Sequence, residues 1–140
     1  MNLGNELSGI LVVSIEQAVA APYCSLLLAD GGARVIKVER PEGDFARSYD
    51  TGAEGQSAIF AWLNRGKESI CLNLKSREDL TTLKKILSQA DILLSNLTPG
   101  TLEKIEISGD FLRINNPKLI TCSISGYGNS GPNKGKKAYD

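Results

Sequence analysis

Histidine is missing from all 140 residues, which excludes Ser-His-Asp triads, histidine general bases and imidazole-built zinc sites within this chain. Cysteine is scarce: Cys24, Cys71 and Cys122 are widely spaced, form no CxxC pair and sit in apolar runs, so they are expected to be buried thiols of a reducing compartment. An excess of either charge is lacking as well. Sixteen Lys and Arg balance sixteen Asp and Glu, so nothing draws the chain nonspecifically to nucleic acid, and any anion site has to be local. No basic region precedes the first apolar run, and Glu16, Gln17 and Pro22 break that run well short of membrane-spanning length. The expectation is a cytoplasmic protein with no membrane or nucleic-acid partner and no metal. Neither GxGxxG after the first strand nor GxxxxGK[ST] occurs, and repeats, low-complexity tracts and interdomain linkers are absent.

What the chain does contain is a regular alternation of apolar strands and helices, organised around residues 29–44. Ala33 to Glu39 alternates apolar and charged residues around Val35, Ile36 and Val38, entered from a Gly31-Gly32 helix stop and left through Pro41-Glu42-Gly43, which predicts a strand. Ile10 to Ile15 is apolar apart from Ser14, the pattern of a central strand covered on both faces. Pro22 to Asp30 is long enough for a crossover helix between them, giving a βαβ unit. Downstream, Ser57 to Asn64 predicts a short helix with its aromatics in the core, and Ser69 to Leu74 a third strand. Ser76 and Asp79 form a capping box for a helix carrying Leu80, Leu83, Ile86, Leu87 and Ala90 at helical spacing. Asp91 to Ser95 and Leu119 to Ile124 predict the fourth and fifth strands, with short helices around Leu102 to Ile105 and after an Asp110 cap. The fold class is therefore α/β, an open, mostly parallel sheet flanked by helices, in one domain over 1–140. Residues 136–140 follow a turn and lead into no further element, so an unfinished C-terminal end is expected.

Ligands of such sheets bind off the carboxyl ends of the strands. The loops to inspect are Glu16 to Pro22, Arg40 to Asp44, Asn96 to Gly100 and Gly126 to Asp140. Ala18 to Ala21 is a row of small residues that would let a ligand approach the backbone or simply permit close helix packing. Arg40, Lys75, Lys104 and Lys137 can meet phosphates and Asn96 can hydrogen-bond a base or amide, which suits a long, anionic, partly apolar ligand. The dense cluster Lys134, Lys136 and Lys137 reads equally well as a solvated loop.

Several stretches together resemble the class III coenzyme A transferases of the CaiB/BaiF type. They are Ala21-Pro22, Leu28-Ala29-Asp30, Val35 to Glu39 with Gly43-Asp44, Asn64 to Lys67 with Leu72 to Lys75, Ala90-Asp91, Asn96 with Pro99-Gly100, and Ser125 to Gly128 through Gly131-Pro132 to Tyr139-Asp140. As an ordered set spanning nearly the whole chain they are specific, and they match the N-terminal part of the family's longer chains, two of which interlock as a homodimer. The resemblance implies an open Rossmann-like domain that binds coenzyme A as acyl-CoA, with Val19 and Ala20 lining the coenzyme and Arg40 at its adenine end. Leu72, Asn73, Leu74 and Lys75 with Asn96, Leu97 and Thr98 would hold the nucleotide. Lys104 and Lys137 would meet its phosphates, beside Ala138 and Tyr139.

The family's reaction moves CoA from an acyl-CoA to a carboxylic acid through an aspartate nucleophile, which the resemblance sets beyond the last residue; Asp140 matches an accessory acidic position. Lys104 departs from the arginine often found there, exchanging a planar fork for a point charge, and Glu106 stands where glycine is usual. Related α-methylacyl-CoA racemases carry histidine where this chain has Tyr139, which favours transfer over racemisation. A noncatalytic CoA-binding fragment or interaction module is the remaining alternative.

Overall fold

The computed structural model describes residues 4–138. Five strands form one sheet in the order β3-β2-β1-β4-β5, with every adjacent pair parallel. They are β1 (Leu11–Ile15), β2 (Arg34–Glu39), β3 (Glu68–Cys71), β4 (Ile92–Ser95) and β5 (Ile120–Ser123). The helices are α1 (Ala20–Asp30), α2 (Ala58–Asn64), α3 (Arg77–Leu87), α4 (Thr101–Lys104) and α5 (Gly109–Asn115), with a 3-10 turn at Phe45–Ser48. The α/β class and the central place of the first strand are as expected. Val13 sits between Ile36 of β2 and Leu93 of β4, and strand order reverses direction at β1. Such a reversal opens a crevice at the carboxyl edge.

Alternation sends successive side chains to opposite faces. On one face Val13, Ile15, Val38 and Leu93 pack with Leu83 and Leu87 of α3, Leu112 of α5 and Ile107. On the other, Val12, Val35 and Leu94 pack with Ala21 and Leu28 of α1. Both faces of β1 and β2 are thus covered, while the edge strands β3 and β5 are largely exposed.

Local departures from the sequence-based expectations have local causes. Helix α1 starts at Ala20, two residues before Pro22, because Ala18 turns the chain at a φ of 62°. Strand β3 stops at Cys71: the Asn73 carbonyl Oδ1 accepts from the Lys75 amide, and this side-chain turn ends the extended run. Ser76 is the N-cap residue of α3 without a side-chain cap bond; Asp79 instead accepts from the Asn73 amide, so no capping box forms. The cap of α5 is Ser108, accepting from the Phe111 amide, not Asp110. The cysteines also differ from expectation, since Cys71 and Cys122 lie on the edge strands and are exposed, and Cys24 is half-buried. In α2 only Leu63 is buried, and Trp62 faces outward, stacked on Tyr23 at 5.8 Å.

Candidate functional site

A cleft of about 640 Å³ opens at the carboxyl rim, over the ends of β1 and β2 and the turn after β3. Of the residues assigned a ligand role from sequence, Arg40, Leu72, Asn73, Leu74, Lys75 and Leu97 line it, together with Ile15, Glu16 and Gln17. Leu97 also borders a second hollow of about 400 Å³, over β4 and β5, to which Thr98, Pro99, Gly100, Lys134 and Gly135 contribute. The two hollows therefore share a wall and run along one edge of the sheet. Arg40 is held flat at the mouth, its Nε donating to the Gly43 carbonyl at 2.8 Å and its guanidinium 4.0 Å from the centre of the Phe45 ring.

The other predicted residues that the structure describes line neither hollow. Val19 and Ala20 lie at the entrance to α1, and Val19 gives that helix no side-chain cap. Lys104 is exposed on α4; Lys137 and Ala138 are exposed two and three residues beyond Gly135. Ala138 folds back so closely on Gly126 that a methyl group there would overlap it, which brings the end of the described chain to the foot of the loop after β5. Asn96 is engaged structurally: its Oδ1 accepts from the Gln17 amide at 3.0 Å and its Nδ2 donates to the Gln17 carbonyl at 2.8 Å. It thereby ties the loops after β1 and β4 across the switch point. Tyr139 and Asp140 lie outside the described residues.

Beneath the cleft lies a cluster of charges that sequence reasoning did not single out. Lys37, 1% exposed, places its Nζ 2.7 Å from Asp44 Oδ2 and 3.4 Å from Glu16 Oε1. Lys67 donates to Glu16 Oε1 at 3.0 Å, to the Pro22 carbonyl at 2.8 Å and to Asn64 Oδ1 at 3.0 Å. The Ser25 hydroxyl also donates to Glu16. Glu39 accepts both guanidinium bonds of Arg47 at 2.8 Å, one from Ser69 and one from the Asp44 amide. Three carboxylates and three cations are thereby matched, as desolvated ions must be.

The surroundings set the protonation states. Burial alone would raise the Glu39 carboxyl, but the bonds from Arg47, Ser69 and the Asp44 amide outweigh it and lower its pKa to about 2. Burial pushes the Lys67 ammonium down, opposed by Glu16. The available signal for this cluster was charged residues at i and i+2, Lys37 and Glu39, in a strand flanked on both sides.

The sequence profile of CoA-transferase family III matches residues 7–140. Acetyl-CoA:oxalate CoA-transferase of Acetobacter aceti is 39% identical over 133 residues, covering 94% of this chain and 34% of that protein. Succinyl-CoA:mesaconate CoA-transferase of Haloarcula marismortui is 42% identical over 127 residues, 87% of this chain and 32% of that one. The crystal structure of a CAIB/BAIF family protein from Brucella suis superposes with a TM-score of 0.88 at 37% identity, over 96% of this chain and 37% of that one. The chain spans about a third of the length of the curated relatives it matches.

Proposed function

Because the chain belongs to CoA-transferase family III, we propose that its rim binds the coenzyme A part of an acyl-CoA and that the protein moves CoA from that donor to a carboxylic acid. The observation that carries this proposal is the cleft itself. Six residues that sequence resemblance assigned to the coenzyme line one concavity at the switch point, where nucleotide-bearing ligands of parallel sheets bind. Arg40, stacked on Phe45, offers its open side to a flat base, and Lys75 supplies charge at the same mouth. Lys104, Lys137 and Lys134 supply cations toward the second hollow, where the diphosphate would extend. Two of the relatives are named for CoA transfer between acids, which favours transfer over racemisation.

In the proposed chemistry an aspartate carboxylate attacks the thioester carbonyl. The thiolate leaves and a mixed anhydride forms; the thiolate then attacks the aspartyl carbonyl and expels the donor acid as carboxylate. The acceptor carboxylate attacks the resulting aspartyl thioester, and the thiolate finally takes the acceptor's acyl group, restoring the aspartate. Within this chain Asp140 would be an accessory to that centre and not its nucleophile. A second copy of the chain is the proposed protein partner, and the four exposed residues of β5 offer an edge for association.

Calorimetric titration with CoA tests the proposal. Saturable binding is expected, weakened in Arg40→Ala and Lys137→Ala; the absence of saturable binding would overturn it.

A further inference from the structure

Ala18 stands at the centre of the loop between β1 and α1 with a φ of 62°, a left-handed conformation costly for a side chain with a Cβ. Its amide donates to Asp44 Oδ1 at 2.9 Å, and the same oxygen accepts from the Ala46 amide at 3.0 Å. The other oxygen of Asp44 is 2.7 Å from the buried Lys37 ammonium. Asp44 is itself 5% exposed, and its own amide is held by Glu39 Oε2 at 3.0 Å. The carboxylate therefore cannot rotate away without breaking a buried ion pair and two backbone bonds together. On either side of Ala18, Gln17 is clasped by Asn96, and the Pro22 carbonyl accepts from Lys67.

We propose that Asp44 is the positioning residue of the rim: locked by Lys37, it holds Ala18 in the left-handed region and so fixes the course of the Gln17–Ala20 backbone, whose first residue lines the cleft. The inference rests on the reading of that cleft as a coenzyme site. Released from Asp44, Ala18 relaxes to negative φ, and the peptides flanking it swing relative to Ile15 and Gln17, which line the cleft. Asp44 itself borders the cleft, but the role assigned to it here runs through the backbone of another loop, 26 residues away in sequence.

The test separates positioning from bulk stability. Asp44→Ala is expected to weaken CoA binding about tenfold, the factor set by about 1.4 kcal/mol, and to change the amide-to-Hα coupling constant of Ala18 in the ligand-free chain. Asp44→Asn, which keeps an oxygen for the Ala18 amide, is expected to retain affinity within about threefold, below 0.7 kcal/mol by the same constant. Adding Ala18→Gly to Asp44→Ala should restore most of the affinity, because glycine adopts positive φ without strain. Loss of melting temperature with unchanged affinity, or no rescue by glycine, overturns the proposal. Should Asp44→Ala fail to fold, Ala18→Val serves instead: a β-branched side chain resists positive φ, so unchanged CoA affinity in that variant overturns it too. If the unmodified chain binds no CoA, the coenzyme reading fails by itself. The positioning role is then decided by the Ala18 coupling constant, which needs no ligand.

Discussion

The loops after β1 and β2 rest on six charged side chains that neutralise one another, five of them almost wholly withdrawn from water; the loops after β4 and β5 rest on turns and on the Ser95 and Ser125 hydroxyls. Non-glycine residues at positive φ occur in both halves, Ala18 and the exposed Glu54 in the first and Glu106 in the second, and Ala18 and Glu106 are held differently. Ala18 is secured by a buried carboxylate, whereas the Glu106 amide makes a turn bond to Glu103 and its exposed side chain meets Lys84. One half of the rim is thus held from beneath by buried charge. The other presents Lys104, Lys134 and Lys137 on an exposed surface.

The comparison can be broken first at Lys37. Lys37→Met leaves Asp44 and Glu16 buried without their shared cation, and a loss of about 3–5 kcal/mol is expected in urea unfolding. Lys137→Ala, on the exposed half, is expected to fall within about 0.5 kcal/mol of the unmodified chain. Equal losses at the two sites would erase the distinction.

Acid provides the next largest effect. The folded pKa of Glu39, about 2, lies below its ordinary value of 4.5, so the unfolded chain takes up the proton first. Its contribution is complete above about pH 4.5 and is lost as pH falls toward 2, at most about 3 kcal/mol before screening by solvent around the half-exposed Arg47. Urea midpoints measured from pH 6 to 2.5 should show a smaller fall in Glu39→Gln than in the unmodified chain; identical slopes would mean that Arg47 and Ser69 do not hold the carboxylate.

Asn96 joins the two halves. Asn96→Ala removes both bonds to the Gln17 backbone, with an expected cost of about 1–3 kcal/mol and faster hydrogen exchange at the Gln17 amide. Unaltered exchange would show that the halves are not coupled there. The smallest effect is expected at Glu106. Glu106→Gly relieves the left-handed strain at the expense of an exposed ion pair worth little, and should raise stability by up to about 1 kcal/mol. A loss would mean that the pair with Lys84 outweighs the strain.

The sheet was legible because its strands are apolar runs bounded by glycine, proline and helix caps, and β1 in particular has no charged residue before Glu16. What escaped were features settled by position within the sheet. Lys37 and Glu39 alternate with apolar residues in the manner of a half-solvated strand. Yet β2 lies between β1 and β3 with both faces covered, so those charges had to find partners on other loops. Cys71 and Cys122 sit in apolar runs but on edge strands, and sequence alone does not state which strand is an edge. Arg40, Leu72 to Lys75 and Leu97, which the resemblance sets against the coenzyme, share one cleft. Asn96 was assigned to the ligand by the same resemblance and on its hydrogen-bonding capacity, which the Gln17 backbone uses.

The most direct measurement is amide chemical-shift mapping of the chain during titration with CoA. Shifts are expected at Gln17 to Ala20, Arg40 to Asp44, Leu72 to Lys75 and Leu97 to Gly100, small in the first group relative to larger, broader changes around Lys134 to Lys137. Saturating shifts confined to the outer surfaces of α3 and α5, or none at all, would contradict a coenzyme site on this rim.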